Sequence, residues 1–156
     1  MHPWSSAGIL SRDNDVVEWT NVTIKNGYVD KNVATISGAS SVWLEDVTVT
    51  QSRNEEGYKV NSVSGIYLQD VSDAYLLNVS IIENDATWAS VGGLSLVNSV
   101  AVADNLTLSD NAGGYGVLKV DSDSSLTVNG GTFSSNEGDQ AFGVFLLEGY
   151  PVCAFS

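Results

Sequence analysis

The sequence predicts an all-β fold, a right-handed parallel β-helix of about five to six rungs with three strands per rung. Three observations carry this: a repeat, a period-two apolar pattern inside it, and a bend residue at one fixed place in every copy. The repeat is plainest in Gly65 to Asn84, GIYLQDVSDAYLLNVSIIEN, which returns as GLSLVNSVAVADNLTLSDN from Gly93 to Asn111. A further copy from Val117 to Asn136 ends in LTVNGGTFSSN, and VVEWTNVTIKN and SVWLEDVTVTQ match its second half upstream. The bend residues Asn21, Asp46, Asn78, Asn105 and Gly130 are separated by 25, 32, 27 and 25 residues. A period of that size marks an architecture in which one copy cannot bury its own apolar face.

Around each bend the apolar positions alternate: Val17/Trp19 then Val22/Ile24, Val42/Leu44 then Val47/Val49, Ala74/Leu76 then Val79/Ile81, Ala101/Ala103 then Leu106/Leu108, and Leu126/Val128 then Gly131/Phe133. Such alternation belongs to strands with one buried face. Its phase slips by one residue at the bend, so the chain must turn there. Asn, Asp and Gly tolerate the left-handed backbone that a sharp bend between strands requires. With GIYL, GLSL, GVLKV and GVFLL as the remaining strand of their copies, the chain returns on itself and stacks. Parallel crossovers are right-handed as a rule.

These residues resemble a known family. The chain is similar to the pectate-lyase-type right-handed β-helix, in which a corner between the second and third strands carries stacked asparagines; the resemblance implies a ladder through Asn21, Asp46, Asn78 and Asn105. It also resembles the repeats of chlamydial polymorphic membrane proteins and related surface proteins, which combine Gly-Gly-Ala-aliphatic with Phe-x-x-Asn. Phe133-Ser134-Ser135-Asn136 matches the second motif, Leu108-x-x-Asn111 and Ile81-x-x-Asn84 match it loosely, and Gly92-Gly93-Leu94 approximates the first. The similarity spans nearly the whole chain and bears on architecture, because one fold hosts unrelated activities.

In chain order, Met1 to Ala7 is a short lead and Gly8-Ile9-Leu10 opens the first rung. Residues 1–156 read as a single β-helix domain or a segment of a longer solenoid. Neither end shows a capping element, and Gly143 to Leu147 with Pro151 to Phe155 reads as an incomplete sixth turn. Uncovered solenoid ends are rows of unpaired backbone above apolar side chains. Two explanations fit: the chain is one segment of a larger surface protein, or chains self-associate through the ends of the β-helix, a head-to-tail contact that does not close and so makes a filament. Polar loops separate the rungs: Arg12-Asp13-Asn14-Asp15, Asn54-Glu55-Glu56-Gly57, Asp70 to Asp73, Asp121-Ser122-Asp123 and Glu137-Gly138-Asp139. Gly-Tyr recurs at 27/28, 57/58, 114/115 and 149/150, where the tyrosine is expected to pack beside a bend.

With 19 acidic against 6 basic side chains the formal charge is -13, which disfavours nucleic acid and anionic membranes as partners. No apolar run is long enough to span a bilayer, and MHPWSSAGIL lacks the basic start and apolar stretch of a secretion signal. The single cysteine, Cys153, excludes an internal disulfide and is expected to be a small packed residue.

Four chemistries are candidates. Asn21-Val22-Thr23, Asn78-Val79-Ser80 and Asn105-Leu106-Thr107 are N-glycosylation sequons that share one repeat position. The fold's own need for a corner Asn followed by an outward β-former generates the same pattern. Thr23, Thr48, Ser80, Thr107 and Thr132, flanked by Lys25, Thr50, Ile82, Ser109 and Ser134, form a hydroxyl face that resembles those of ice-binding β-solenoids; a solvated Thr-rich face is the simpler reading. Asp13/Asp15, Asp70/Asp73 and Asp121/Asp123 invite Ca2+, yet no full coordination motif accompanies them, so no cofactor or metal is expected. Trp43 and Tyr75, outward at equivalent positions, are candidate sugar-stacking rings.

A lyase would need clustered cations, whereas Arg12, Lys25, Lys31, Arg53, Lys59 and Lys119 scatter over the repeat. A glycosidase would need converging carboxylates. Asp70 and Glu148 sit on distant rungs, and His2 lies in the lead. No catalytic set is assigned. The reading is a non-enzymatic extracellular or cell-surface structural or adhesive solenoid, with a carbohydrate-active enzyme or carbohydrate-binding module, acting on a matrix or cell-surface polysaccharide, as the alternative and ice binding third.

Overall fold

The structure, a computed structural model, describes residues 9–29, 32–54, 62–86, 90–138, 145–147 and 152–156. Regular structure among the described residues is entirely β. The first winding supplies β1 (Ile9–Arg12), β2 (Val16–Thr20), β3 (Thr23–Lys25) and β4 (Tyr28–Val29); the second supplies β5 (Asn32–Ser37), β6 (Ser41–Glu45), β7 (Thr48–Thr50) and β8 (Arg53–Asn54). The third supplies β9 (Val63–Gln69), β10 (Ala74–Leu77), β11 (Ser80–Ile82) and β12 (Asp85–Ala86). β13 (Leu94–Val97), β14 (Val100–Ser109) and β15 (Ala112–Gly113) follow, then β16 (Leu118–Val120), β17 (Ser125–Ser134) and β18 (Glu137–Gly138), and last β19 (Phe145–Leu147) and β20 (Val152–Phe155).

Every strand pairs in parallel with its equivalent one winding away. The first sheet runs β1-β5-β9-β13-β16-β19, a third runs β4-β8-β12-β15-β18, and the remaining strands form the second. Register is kept from winding to winding: Ala74 faces Val42 on one side and Ala101 on the other, and Ala101 faces Leu126. Like therefore lies over like, and the core is a set of columns. Leu44, Leu76 and Ala103 make one, Val49, Ile81 and Leu108 another, and all six are fully buried. Each large aliphatic so buried contributes roughly 2 kcal/mol.

The bend expected at Asn21, Asp46, Asn78, Asn105 and Gly130 is present, with φ of 55°, 53°, 52°, 60° and 67°. It is one of three such columns. Asp13, Gly38, Asp70 and Asn98 form the first, and Asn26, Gln51, Glu83, Asp110 and Ser135 the third, all with positive φ. The backbone N–H of these residues still reaches the next winding: Asn21 N donates to Glu45 O at 3.0 Å, Asp70 N to Val97 O at 3.0 Å and Glu83 N to Ser109 O at 3.0 Å. The third column was hidden in the sequence because Gln51, Glu83 and Ser135 are not residues that ordinarily mark a left-handed bend.

One expectation needs correction. The strand after the predicted corner shares a sheet with the strand before it, and in β14 and β17 the two run on without a break. The third side of the winding is instead made of two-residue strands, too short to show any apolar alternation. A second set of asparagines faces inward: Asn78 and Asn105 are exposed at the predicted corner, whereas Asn84 and Asn111, which close their repeats, are each only 1% exposed.

These buried amides complete the fold's polar accounting. Asn84 N and Nδ2 donate to Asn111 Oδ1 at 3.0 and 3.1 Å, and Asn111 N and Nδ2 donate to Asn136 Oδ1 at 3.1 and 3.2 Å. Each Nδ2 also reaches back to a carbonyl: Asn84 to Val49 at 3.0 Å, Asn111 to Ile81 at 2.7 Å and Asn136 to Leu108 at 2.7 Å. Serine serves the same purpose at another bend, where Val71 N donates to Ser99 Oγ at 3.1 Å and Ser99 N to Ser124 Oγ at 3.0 Å. The glycine that opens the repeat is there for space, since a Cβ on Gly65 would lie 2.0 Å from the carbonyl oxygen of Gly93.

Asn111→Ala takes the Oδ1 acceptor from the buried N and Nδ2 of Asn84, and unpaired buried groups cost about 1–3 kcal/mol apiece. It is expected to lower stability in urea unfolding by about 3 kcal/mol. Asn78→Ala, exposed and burdened only by its left-handed backbone, is expected to cost about 1 kcal/mol; equal losses would remove the buried ladder from its central place.

Candidate functional site

Two places on the outer surface gather chemistry. On the second sheet, Trp43 and Tyr75 are Cα partners on adjacent windings and both point outward. Trp43 is 40% exposed, and the two ring centroids lie 4.7 Å apart with planes tilted 37°. Each ring thus lies against one face of the other, which removes that pair of faces from a sugar's reach. Their polar atoms are taken up by neighbours. Trp43 Nε1 donates to Glu45 Oε2 at 3.2 Å, the Tyr75 hydroxyl donates to the Asp104 carboxylate, and Asn129 Nδ2 donates to Asp104 Oδ1 at 2.7 Å.

The electrostatics follow from those bonds. The hydrogen bond to Asp104 holds the Tyr75 phenol above its ordinary range, with partial burial and the carboxylate's charge adding to it. Donation from Tyr75, and then from Asn129, holds the Asp104 carboxyl below its ordinary range against some burial. Asp104 is therefore a committed acceptor and poorly suited to give up a proton as a general acid.

The second place lies on the outer face of the first sheet. A depression of about 200 Å³ is lined by Val63, Tyr67, Val91, Ser95, Val97, Lys119 and Asp121. The parallel register stacks Tyr67, Ser95 and Lys119 in one column. Lys119 is only 8% exposed, and burial, followed by the charges of Asp70 and Asp121, raises the Tyr67 pKa. Phenol, hydroxyl, ammonium and carboxylate converge there. The volume falls below that of typical small-molecule sites, so a single small ring is the most it would seat. Sequence reasoning passed over this group, although the shared middle position of GIYL, GLSL and VLKV is the signal that would have found it.

The other candidates disperse. Thr23, Thr48, Ser80, Thr107 and Thr132 do stack in one column, with Lys25, Thr50, Ile82, Ser109 and Ser134 beside them. Asp70 accepts from Asn98 Nδ2 at 2.7 Å, and Asp121 accepts from Asn98 N at 3.2 Å and from Ser124 Oγ at 2.6 Å, so these carboxylates organise turns. Among the described residues no three His, Cys, Asp or Glu side chains gather as metal ligands would. Arg53 pairs with Asp85 at 2.9 Å on the third sheet, far in the winding from Lys119. In the corner column Asn78 Nδ2 donates to Asp46 Oδ1 at 3.1 Å and Asn105 Nδ2 to Asn78 Oδ1 at 3.0 Å, all on the exposed surface. Cys153 packs against the end of the core, and burial raises its thiol pKa. His2, Lys31, Lys59, Tyr58, Glu148 and Tyr150 lie outside the described residues.

A family model described as "Right handed beta helix region" matches residues 2–152. No curated protein and no solved structure matches the chain.

The Tyr75–Asp104 bond predicts a pH signature. A raised phenol contributes stability that is present below its ordinary pKa of 10.0 and lost as pH rises through the higher folded value. In ultraviolet phenolate titration, Tyr75, isolated as the difference between the parent and Tyr75→Phe, is expected to ionise later than a free tyrosine. Asp104→Asn should move that midpoint back down, and an unmoved midpoint would deny the bond.

Proposed function

The chain belongs to the right-handed β-helix family, and we propose that within it this protein is a non-enzymatic structural solenoid of the cell exterior that grows by adding parallel strands to its end edges. The observation that carries this reading is the state of those edges. Among the described residues β1, β2, β3 and β4 pair on one side only, as do β18, β19 and β20. Side chains that would be interior in the middle of the stack are open there: Ile9 is 43% exposed while its partner Ala34 is buried, and Phe155 is 53% exposed over Val128 at 2%. Leu147, paired with the fully buried Val120, is 49% exposed.

An unpaired strand edge above exposed apolar side chains is a template for another winding. If a second copy continues the register, Cys153 falls over Val17 and Phe155 over Trp19, which extends two existing core columns with residues of the same kind. The charge of -13 per chain opposes this contact at long range, and salt screens that opposition. Light scattering with size exclusion should therefore show particle mass rising with protein concentration and with ionic strength, and electron microscopy should show unbranched rods. A monomer at every concentration and salt would overturn self-stacking.

A carbohydrate-binding reading has one observation in its favour, the donor-rich depression of Tyr67, Ser95 and Lys119. On that reading the sugar would lie on the first sheet, with Trp43 and Tyr75 as the competing position. On an oligosaccharide array, Tyr67→Ala is expected to abolish any signal that Trp43→Ala leaves intact; the opposite pattern would return the site to the aromatic pair.

A further inference from the structure

Two sets of repeat-matched asparagines differ in burial, and the sequons follow the division. Asn84 and Asn111 are buried and bonded on both sides, and Asn136 extends their ladder. They are followed by Asp85-Ala86, Ala112-Gly113 and Glu137-Gly138, none of which completes an acceptor sequence. Asn21, Asn78 and Asn105, which do begin sequons, are all exposed at left-handed corners. We propose that this corner column carries N-linked glycans at Asn21, Asn78 and Asn105, an attachment edge running parallel to the stacking axis.

The geometry of each sequon suits a sugar on the folded protein. The left-handed bend turns the Asn amide outward, while the middle residue goes into the core: Val79 and Leu106 are 0% exposed. The hydroxyl residues Thr23, Ser80 and Thr107 return to the outer face. A glycan replaces one of the two amide hydrogens, and the ladder uses one: Asn78 Nδ2 donates to Asp46, and Asn105 Nδ2 donates to Asn78. That leaves one hydrogen on each Nδ2 outside the ladder, available for exchange. Attachment forms an N-glycosidic bond from Nδ2 to the sugar's anomeric carbon as that carbon's bond to the pyrophosphate of a lipid-linked oligosaccharide breaks; the lipid pyrophosphate leaves, and the displaced amide proton is lost to the transferring enzyme's base. The position, more than the residue now there, defines the edge. Asp46 occupies the same corner between Asn21 and Asn78 and is followed by Val47-Thr48, so Asp46→Asn alone completes a fourth sequon.

The test is secretion of the whole chain from a eukaryotic cell behind a cleavable signal, followed by peptide-N-glycosidase F. Enzymatic release converts an occupied Asn to Asp, which peptide mass mapping locates. Conversion at two or three of Asn21, Asn78 and Asn105, one fewer in the hydroxyl variant (Thr23→Ala, Ser80→Ala or Thr107→Ala) of each occupied sequon, and one more in Asp46→Asn, supports the proposal. So does a β circular-dichroism spectrum and melting temperature for the glycosylated chain equal to those of the enzymatically stripped one. Conversion at one position or none overturns it, as does a glycosylated chain that is retained or melts below the stripped form, since the corner would then not accommodate sugar.

Discussion

The structure depends on one repeated hydrogen bond, from the backbone N–H of a residue to the carbonyl of its equivalent's neighbour one winding away. Strands supply such bonds along their length, and the difficulty lies at the corners, where a bend ordinarily turns N–H groups out of line. Here the left-handed residues keep the direction: Asn21, Gly38, Asp46, Asp70, Asn78, Glu83 and Asp110 all donate to the following winding at 2.9–3.0 Å. Corners built this way let the ladder pass around the whole perimeter. A left-handed non-glycine residue costs about 1 kcal/mol, and the bond it preserves recovers about as much.

The same constraint explains why two polar ladders differ in burial. At the third corner the side chain after the bend points inward, so only a group able to satisfy itself entirely can sit there. The amides of Asn84, Asn111 and Asn136 do so by using both their oxygen and their nitrogen on backbone. At the middle corner the side chain points outward, where water is an alternative partner. The Asp46–Asn78–Asn105 chain is correspondingly less costly to lose than the buried ladder.

Stacking also makes the outer surface a set of columns, which is how isolated residues become neighbours. Tyr67, Ser95 and Lys119 are more than twenty residues apart in sequence and adjacent in the first sheet. Trp43, Tyr75 and Asp104 come together on the second sheet in the same way. Since any such column repeats at the strand spacing of about 4.8 Å, the fold favours interactions spread along an axis over a deep pocket at one point. A surface organised in columns along one axis agrees with the structural role proposed for the chain.

By itself the sequence determined the winding, because the forces responsible are local and recur: alternation sets which side faces in, and Asn, Asp or Gly at Asn21 through Gly130 sets where the chain bends. It also placed the exposed hydroxyl and sequon columns in register, since a shared repeat position becomes a shared height in the stack. Only the tertiary structure decided the third sheet, whose two-residue strands carry no pattern, and the burial of Asn84 and Asn111 against the exposure of Asn78 and Asn105. An asparagine reads alike in both places; which way it points depends on the bend before it, and at the third corner that bend is made by Gln51, Glu83 and Ser135, held left-handed by the windings on either side and not by their own preference. The depression around Tyr67 and Lys119 was equally a product of stacking, because its chemistry exists only once three windings lie over one another.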